Sequence, residues 1–163
     1  MPATPIASTT KYINPETTVV LWVASIASKA APLRAELNLG INLVGENSAC
    51  EGWNTAAESV PIPNMGSRFT GSIPGRITAE DSTLSMYADV GGSDARTLMP
   101  QDTNGYIVWM DGGDVANRKM DVFPVRVASV AKSNRSVEGD EAQMLTFSYS
   151  ITSSPAVDVL IPA

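Results

Sequence analysis

Two runs near the C-terminus, "DVFPVRVASVAK" and "QMLTFSYSIT", restrict this chain more than any other feature in it. In the second run Leu145, Phe147, Tyr149 and Ile151 alternate with Thr146, Ser148, Ser150 and Thr152. A strand there buries one face and leaves a row of hydroxyls on the other, whereas a helix would scatter both sets around its circumference. Between the runs, "SNRSVEGDE" is charged and contains glycine, the composition of a solvent-exposed connection between two antiparallel strands.

The rest of the chain continues in short pieces. Thr17 to Val23 is β-branched and aromatic and reads as a first strand. "APLRAELNLG" reads as a short helix, with Pro32 in its first turn, Leu33 and Leu37 on one stripe and Gly40 as terminator. Residues 41 to 53 carry a weak strand pattern. Leu84, Met86 and Ala88 alternate with Thr83, Ser85 and Tyr87. A second short helix follows, with Ser93 as its expected N-cap and Pro100 as its stop. "YIVWM", Tyr106 to Met110, is apolar on both faces, so each face needs a cover, from a helix or from a neighbouring molecule. "VDVLIPA" can add an edge strand. Six or seven strands, one or two short flanking helices and no β-α-β alternation describe a mainly β domain, a β-sandwich or partly closed barrel. It spans 17–163 as a single unit, preceded by an extended arm, 1–16, that contains Pro2, Pro5 and Pro15.

Chemistry is narrowed more by what is missing than by what is present. With no histidine in 163 residues, Ser-His-Asp and Cys-His arrangements and histidine-ligated metals are excluded. The single Cys50 has no basic neighbour to lower its pKa; it is expected to be a small buried side chain, in keeping with a reducing cytoplasm. "DGGDVANRKMD" and "EGDE" concentrate carboxylates, but neither has the alternating oxygen ligands and central glycine of a calcium loop. No cofactor and no metal are expected. Trp22, Trp53 and Trp109 lie in or beside strands and read as core rather than as a sugar-stacking platform. Asn134-Arg135-Ser136 fits a glycosylation sequon by chance, as no secretion signal is expected when Glu16 sits ahead of the apolar run. That run, Thr17 to Ser28, is shorter than the roughly 20 residues of a membrane helix. The net charge of -6 and the scattering of the eleven basic residues argue against a protein that grips nucleic acid.

One segment resists this bland reading. Residues 58–77, around "PNMGSRFTGSIPG", hold prolines and glycines at a density that excludes a helix or a central strand, and read as a long loop. The glycine spacing fits neither a Walker loop nor a dinucleotide loop, and the segment leads into a strand. Its expected role is an arm ordered by a neighbouring subunit, with Phe69 and Ile73 as apolar anchors and Arg68 and Arg76 paired to that neighbour's carboxylates.

"SRFTGSIPGRITAEDSTLSMYAD", "YIVWMDGGD" and "MDVFPVRVASV" resemble the major tail tube proteins of long, flexible-tailed bacteriophages, particularly those of actinobacterial hosts, and the likeness runs from "TPIASTTKYINP" to "ITSSPAVDVLIPA". That resemblance implies a structural virion protein without enzymatic activity. Six copies would close into a ring, and rings would stack into a hollow tube in the virion tail, assembled in the host cytoplasm. Its partners would be itself, a tape-measure protein, a tail terminator and a baseplate-end protein, with no membrane involved. DNA would pass through the lumen without specific binding. Electrostatics agrees: duplex DNA carries a charge per roughly 1.7 Å of axis, so a basic lining would hold it, and an acidic or hydroxyl-rich wall would not. Candidate lumen-facing residues are Asp111, Asp114, Glu138, Asp140, Glu141, Thr146, Ser148 and Ser150. The alternative is a small β-sandwich module binding carbohydrate or protein on a virion; a carboxylate hydrolase is a third class with no residue pointing to it.

Overall fold

The computed structural model describes residues 3, 5–133 and 139–163. Within them the chain runs β1 (Val19–Val23), α1 (Arg34–Asn38), β2 (Ile41–Asn42), β3 (Asn47–Glu51), β4 (Thr55–Ile62), β5 (Gly71–Ala79), β6 (Ser82–Tyr87), α2 (Ala95–Leu98), β7 (Asn104–Met110), β8 (Lys119–Ser133), β9 (Met144–Ile151) and β10 (Ala156–Leu160). Eight strands make one antiparallel sheet in the order β2-β1-β7-β8-β9-β6-β3, with β10 also on β8. The sheet does not close into a barrel. β4 and β5 pair only with each other.

The 15-residue β8 is the spine of the sheet. One of its edges carries β7, and the other carries β9 along Val125–Ser133 and then β10 along Lys119–Val122. A bulge between Val127 and Ser129, within the β9-paired stretch, lets the sheet bend. The bend brings side chains of both halves into one core: Val20, Trp22, Ile107, Phe123 and Val125 from one side meet Leu84, Met86, Leu145, Phe147 and Tyr149 from the other. Strand alternation sends the intervening residues of the β1–β7–β8 half to its other face. There Leu21, Val23, Val108, Met110, Met120 and Val122 pack beneath Leu37 of α1, Ile26 and Ile161. Both faces of "YIVWM" are therefore covered within the subunit, and that strand needs no neighbour.

The sequence expectations meet the structure unevenly. The β8–β9 pair and the half-buried β6 stand as read, and both short helices are present, though Pro32 precedes the N-cap of α1 instead of lying in its first turn. Ten strands replace six or seven because 41–53 is two strands and 58–77 is no loop. Leu33 is at the N-cap of α1 and 61% exposed, so the apolar stripe reduces to Leu37. The N-cap of α2 is Asp94, not Ser93: its Oδ1 accepts the Arg96 backbone N–H, a bond a longer, charged acceptor makes better than a serine one residue earlier. Cys50 is exposed rather than buried, because β3 is the edge strand beyond β6.

Candidate assembly interface

The segment 58–77 is the main correction. Its prolines do not prevent strand formation, because a two-stranded ribbon has only edge strands and each edge has one side free of hydrogen bonds. Pro61 sits opposite Ser72, and Pro74 opposite Ser59. A register shift between Ala57 and Ser59 places the extra residue in β5, at Gly75 and Arg76. Glycine is required there: a Cβ at Gly75 would lie 2.7 Å from Val60 Cγ2 and 3.0 Å from the Glu58 carbonyl. The actual loop is only 63–70. Two side chains shape it, with Asn64 Oδ1 accepting from Gly66 N–H and Ser67 Oγ from Phe69 N–H, each at 3.0 Å.

Every residue of β4 is exposed, and β5 is exposed or half-buried throughout. Val60 and Ile73 face each other across the ribbon, with Ile62 beside them, yet all three remain about half in solvent. At the tip Phe69 is 80% exposed, and Met65 is fully so. Arg68 and Arg76 are exposed and make no ion pair among the described residues. The four anchors read from sequence thus share one ribbon: Arg68 and Phe69 at its tip, Ile73 and Arg76 along β5. Sequence reading missed Val60, Ile62, Met65 and Ile77. The available signal was the strand pattern on either side of the proline-rich stretch, in "TAAESVPI" and "GSIPGRITA".

The candidate lumen residues do not form one surface. Thr146, Ser148 and Ser150 project from the outer face of β9, half-buried. Across from them on β6 and β8 stand Thr83, Ser85, Ser129 and Ala131, small and mostly hydroxylated, while Glu51 of β3 lies opposite Thr83 and Arg126 of β8 lies opposite Ser150. Ser85 Oγ and Thr146 Oγ1 lie 3.4 Å apart. This is the part of the outer face that α1 and the C-terminal residues leave bare. Asp111 lies at the end of β7, next to Asp121 on β8, on the core side of the sheet. Asp114 is held by Arg34 in a two-bond ion pair at 2.5 and 2.7 Å, which ties the β7–β8 turn to α1 and keeps its carboxyl below the usual range. Asp140 and Glu141 are exposed outside any strand, and Glu138 lies outside the described residues.

A cavity of about 190 Å³ opens beside Asp111, lined also by Cys50, Gly52, Trp53, Trp109, Asp121 and Phe123. Gly52 and Trp53 are both left-handed, with φ of 80° and 62°. This kink turns Trp53 back from the end of β3 over the core, where its ring centroid lies 5.4–5.6 Å from those of Phe123, Tyr149 and Trp109. Its N–H donates to the Thr83 carbonyl at 3.1 Å. The Trp109 N–H is buried without an acceptor among the described residues. Partial burial, and then Asp121, push the Asp111 carboxyl up. Partial burial and Glu51 likewise push the Cys50 thiol up, away from nucleophilic activation. Trp53 and Trp109 therefore line a cavity as well as packing on the core. Among the described residues no group of three carboxylates or cysteines could hold a metal ion, and no helix is long and apolar enough to cross a membrane.

A family model described as phage tail tube protein matches residues 6–163. The chain belongs to that family. It is a structural component of a phage tail, and membership does not favour the binding-module alternative. No curated protein matches the sequence. Among solved structures the fold of this tail tube family member is similar to the sheath/tube terminator of an extracellular contractile injection system, PVC, in its extended state (TM-score 0.63, 8% identity, 91% of this chain and 97% of the other). It is also similar to a chain in the cap that terminates the tube of the anti-feeding prophage (0.58, 12%, 91% and 93%). A third likeness is to a chain from the tail of an empty GTA particle refined with C6 symmetry (0.56, 10%, 90% and 98%).

Proposed function

We propose that this protein is the repeating subunit of the tube itself, closing as six copies into rings that stack around an axial channel for DNA. The observation that carries this reading is the β4–β5 ribbon. A two-stranded hairpin is marginal in water by itself, and here neither face is covered by its own subunit. A matching surface on another copy completes it. Ring closure demands such a heterologous contact, one patch against a different patch, and stacked rings demand two more. The C6 symmetry of the GTA tail supports the ring number.

The bare outer face of β3, β6, β9 and β8 suits the channel wall. Small hydroxyls give DNA little to bind, Arg126 opposite Ser150 is paired with Asp102, and the acidic balance of the chain repels DNA over about 8 Å at physiological salt. The role is structural, without catalysis or cofactor. The tube would be nucleated at a baseplate-end protein, measured by a tape-measure protein, capped by a terminator and assembled in the host cytoplasm.

The test replaces 63–70 by a two-residue Asn-Gly turn, which preserves the pairing of Ile62 with Gly71. The variant is expected to remain a folded monomer with unchanged melting temperature and to form no tubes under conditions in which wild type does. Normal-diameter tubes from the variant would show that the ribbon tip is not an assembly element. A wild-type chain that stays monomeric under every nucleating condition would end the tube reading.

A further inference from the structure

The cavity beside Asp111 has the properties of a socket for a side chain. Its volume of about 190 Å³ falls below the roughly 300 Å³ at which small-molecule sites begin. Trp53, Trp109 and Phe123 give it aromatic walls, and Asp111 and Asp121 also line it, Asp121 with one carboxylate oxygen accepting the Asp158 backbone N–H at 2.8 Å and the other without a partner among the described residues. Trp109 contributes a buried N–H that has no acceptor among the described residues, a cost that an occupant with a carbonyl oxygen would remove. Asp111 has no cation within salt-bridge distance among the described residues. The chemistry missing from the cavity is one cation, a flat apolar group and a backbone acceptor.

The ribbon tip carries all three. Arg68 has no ion pair among the described residues, Phe69 is 80% exposed and therefore undocked in its own subunit, and the loop backbone offers carbonyls. Its shape is already held by the Asn64 and Ser67 side chains, which reduces the ordering cost of docking. Strands of eight and nine residues carry that tip some 25–30 Å from the ribbon's base. Resting on the tube reading, we infer that the Arg68–Phe69 tip of one copy docks in the Trp53–Trp109–Asp111–Asp121 cavity of another copy. The arginine lies between the two carboxylates and over an indole face, an arrangement that attracts a cation from two directions. Among the described residues Lys11, in the N-terminal segment, is another cation with no ion pair. Its neighbour Tyr12 lies on the far side of the two aspartates, in a depression that already holds Arg118 and Lys119. The aromatic side is the one left open.

Charge exchange tests the contact. Arg68→Glu and Asp111→Lys are each expected to raise the concentration needed for tube assembly at least about tenfold, the scale of one lost charged contact. Both monomers should keep the wild-type circular dichroism and melting temperature. Together the two changes should restore assembly to within a few-fold of wild type. A second measurement uses the native thiol that lines the cavity: Thr70→Cys, treated as assembled tubes with a short bismaleimide, should give dimers and higher ladders on a denaturing gel through Cys50. Wild-type tubes should not ladder. If either single variant assembles like wild type, or the double variant is no better than the singles, the inference is overturned while the tube reading stands. It is overturned equally if Lys11→Cys ladders with Cys50 and Thr70→Cys does not. Failure of wild type itself to assemble would overturn both.

Discussion

Asp94 shows how one carboxylate can secure a turn of chain. Its Oδ1 accepts the Arg96 backbone N–H at 3.1 Å and Nε at 2.8 Å, while Oδ2 accepts Nη2 at 2.7 Å and the Asp89 N–H at 3.2 Å. Led by the Arg96 side chain, these bonds pull the carboxyl from an ordinary value near 3.8 to about 2. A carboxyl with a lowered folded-state pKa stabilises fully above its unfolded value and loses that contribution as pH falls through the folded one. The contribution is therefore complete above about pH 4 and gone below about pH 2. Asp94→Asn should lower unfolding free energy at pH 7 by about 1–2 kcal/mol, and the gap from wild type should shrink across that window in urea titrations. Gly105 makes a steric prediction. A Cβ there would lie 2.4 Å from Trp22 Cη2 and 2.6 Å from Cζ2, and Trp22 is 3% exposed. Gly105→Ala should cost about 1–3 kcal/mol by overpacking, read as a lower urea midpoint with an unchanged slope.

Among the elements, the ribbon and the main sheet answer to different constraints. Gly75→Ala pushes against Val60 and the Glu58 carbonyl at the bulge, so it should deform the ribbon. Because the ribbon is not paired to the main sheet, the melting temperature should stay within about a degree of wild type, since most surface changes stay within ±0.5 kcal/mol. Assembly, followed by sedimentation, should fall sharply. The same division explains what was legible beforehand. β9 declares itself because Leu145, Phe147 and Tyr149 are core and the residues between them are not; a period of two is the imprint of a half-buried sheet. The ribbon has no fully buried residue, so its pattern carries no such imprint, and its prolines point the wrong way. The exposure of Arg68 and Phe69 was legible because a glycine- and proline-rich stretch lies at the surface. The cavity beside Asp111 was not, since Trp53, Trp109 and Asp121 come from three separated strands or strand ends and meet only when the sheet bends.

At the scale of the whole molecule, charge is distributed by surface rather than by composition. The centre of the bare hydroxyl face, Thr83, Ser85, Thr146 and Ser148, is uncharged, with Glu51 and Arg126 at its edges. If that face lines the channel, Ser148→Lys adds one cation per subunit to the wall. Tubes of this variant should form normally and retain linear duplex DNA at low ionic strength, releasing it steeply as salt rises. Wild-type tubes should retain none in the same filter or gel-shift measurement. Retention by neither would mean that β9 points away from the bore.

The placement of the indoles has an optical consequence. Trp22 sits in the closed core and supplies a constant background, while Trp53 and Trp109 border the cavity. Filling that cavity changes the polarity around two of the three chromophores without any label. The emission maximum should therefore move to shorter wavelength in step with polymer mass, giving a real-time trace of growth from the unmodified protein.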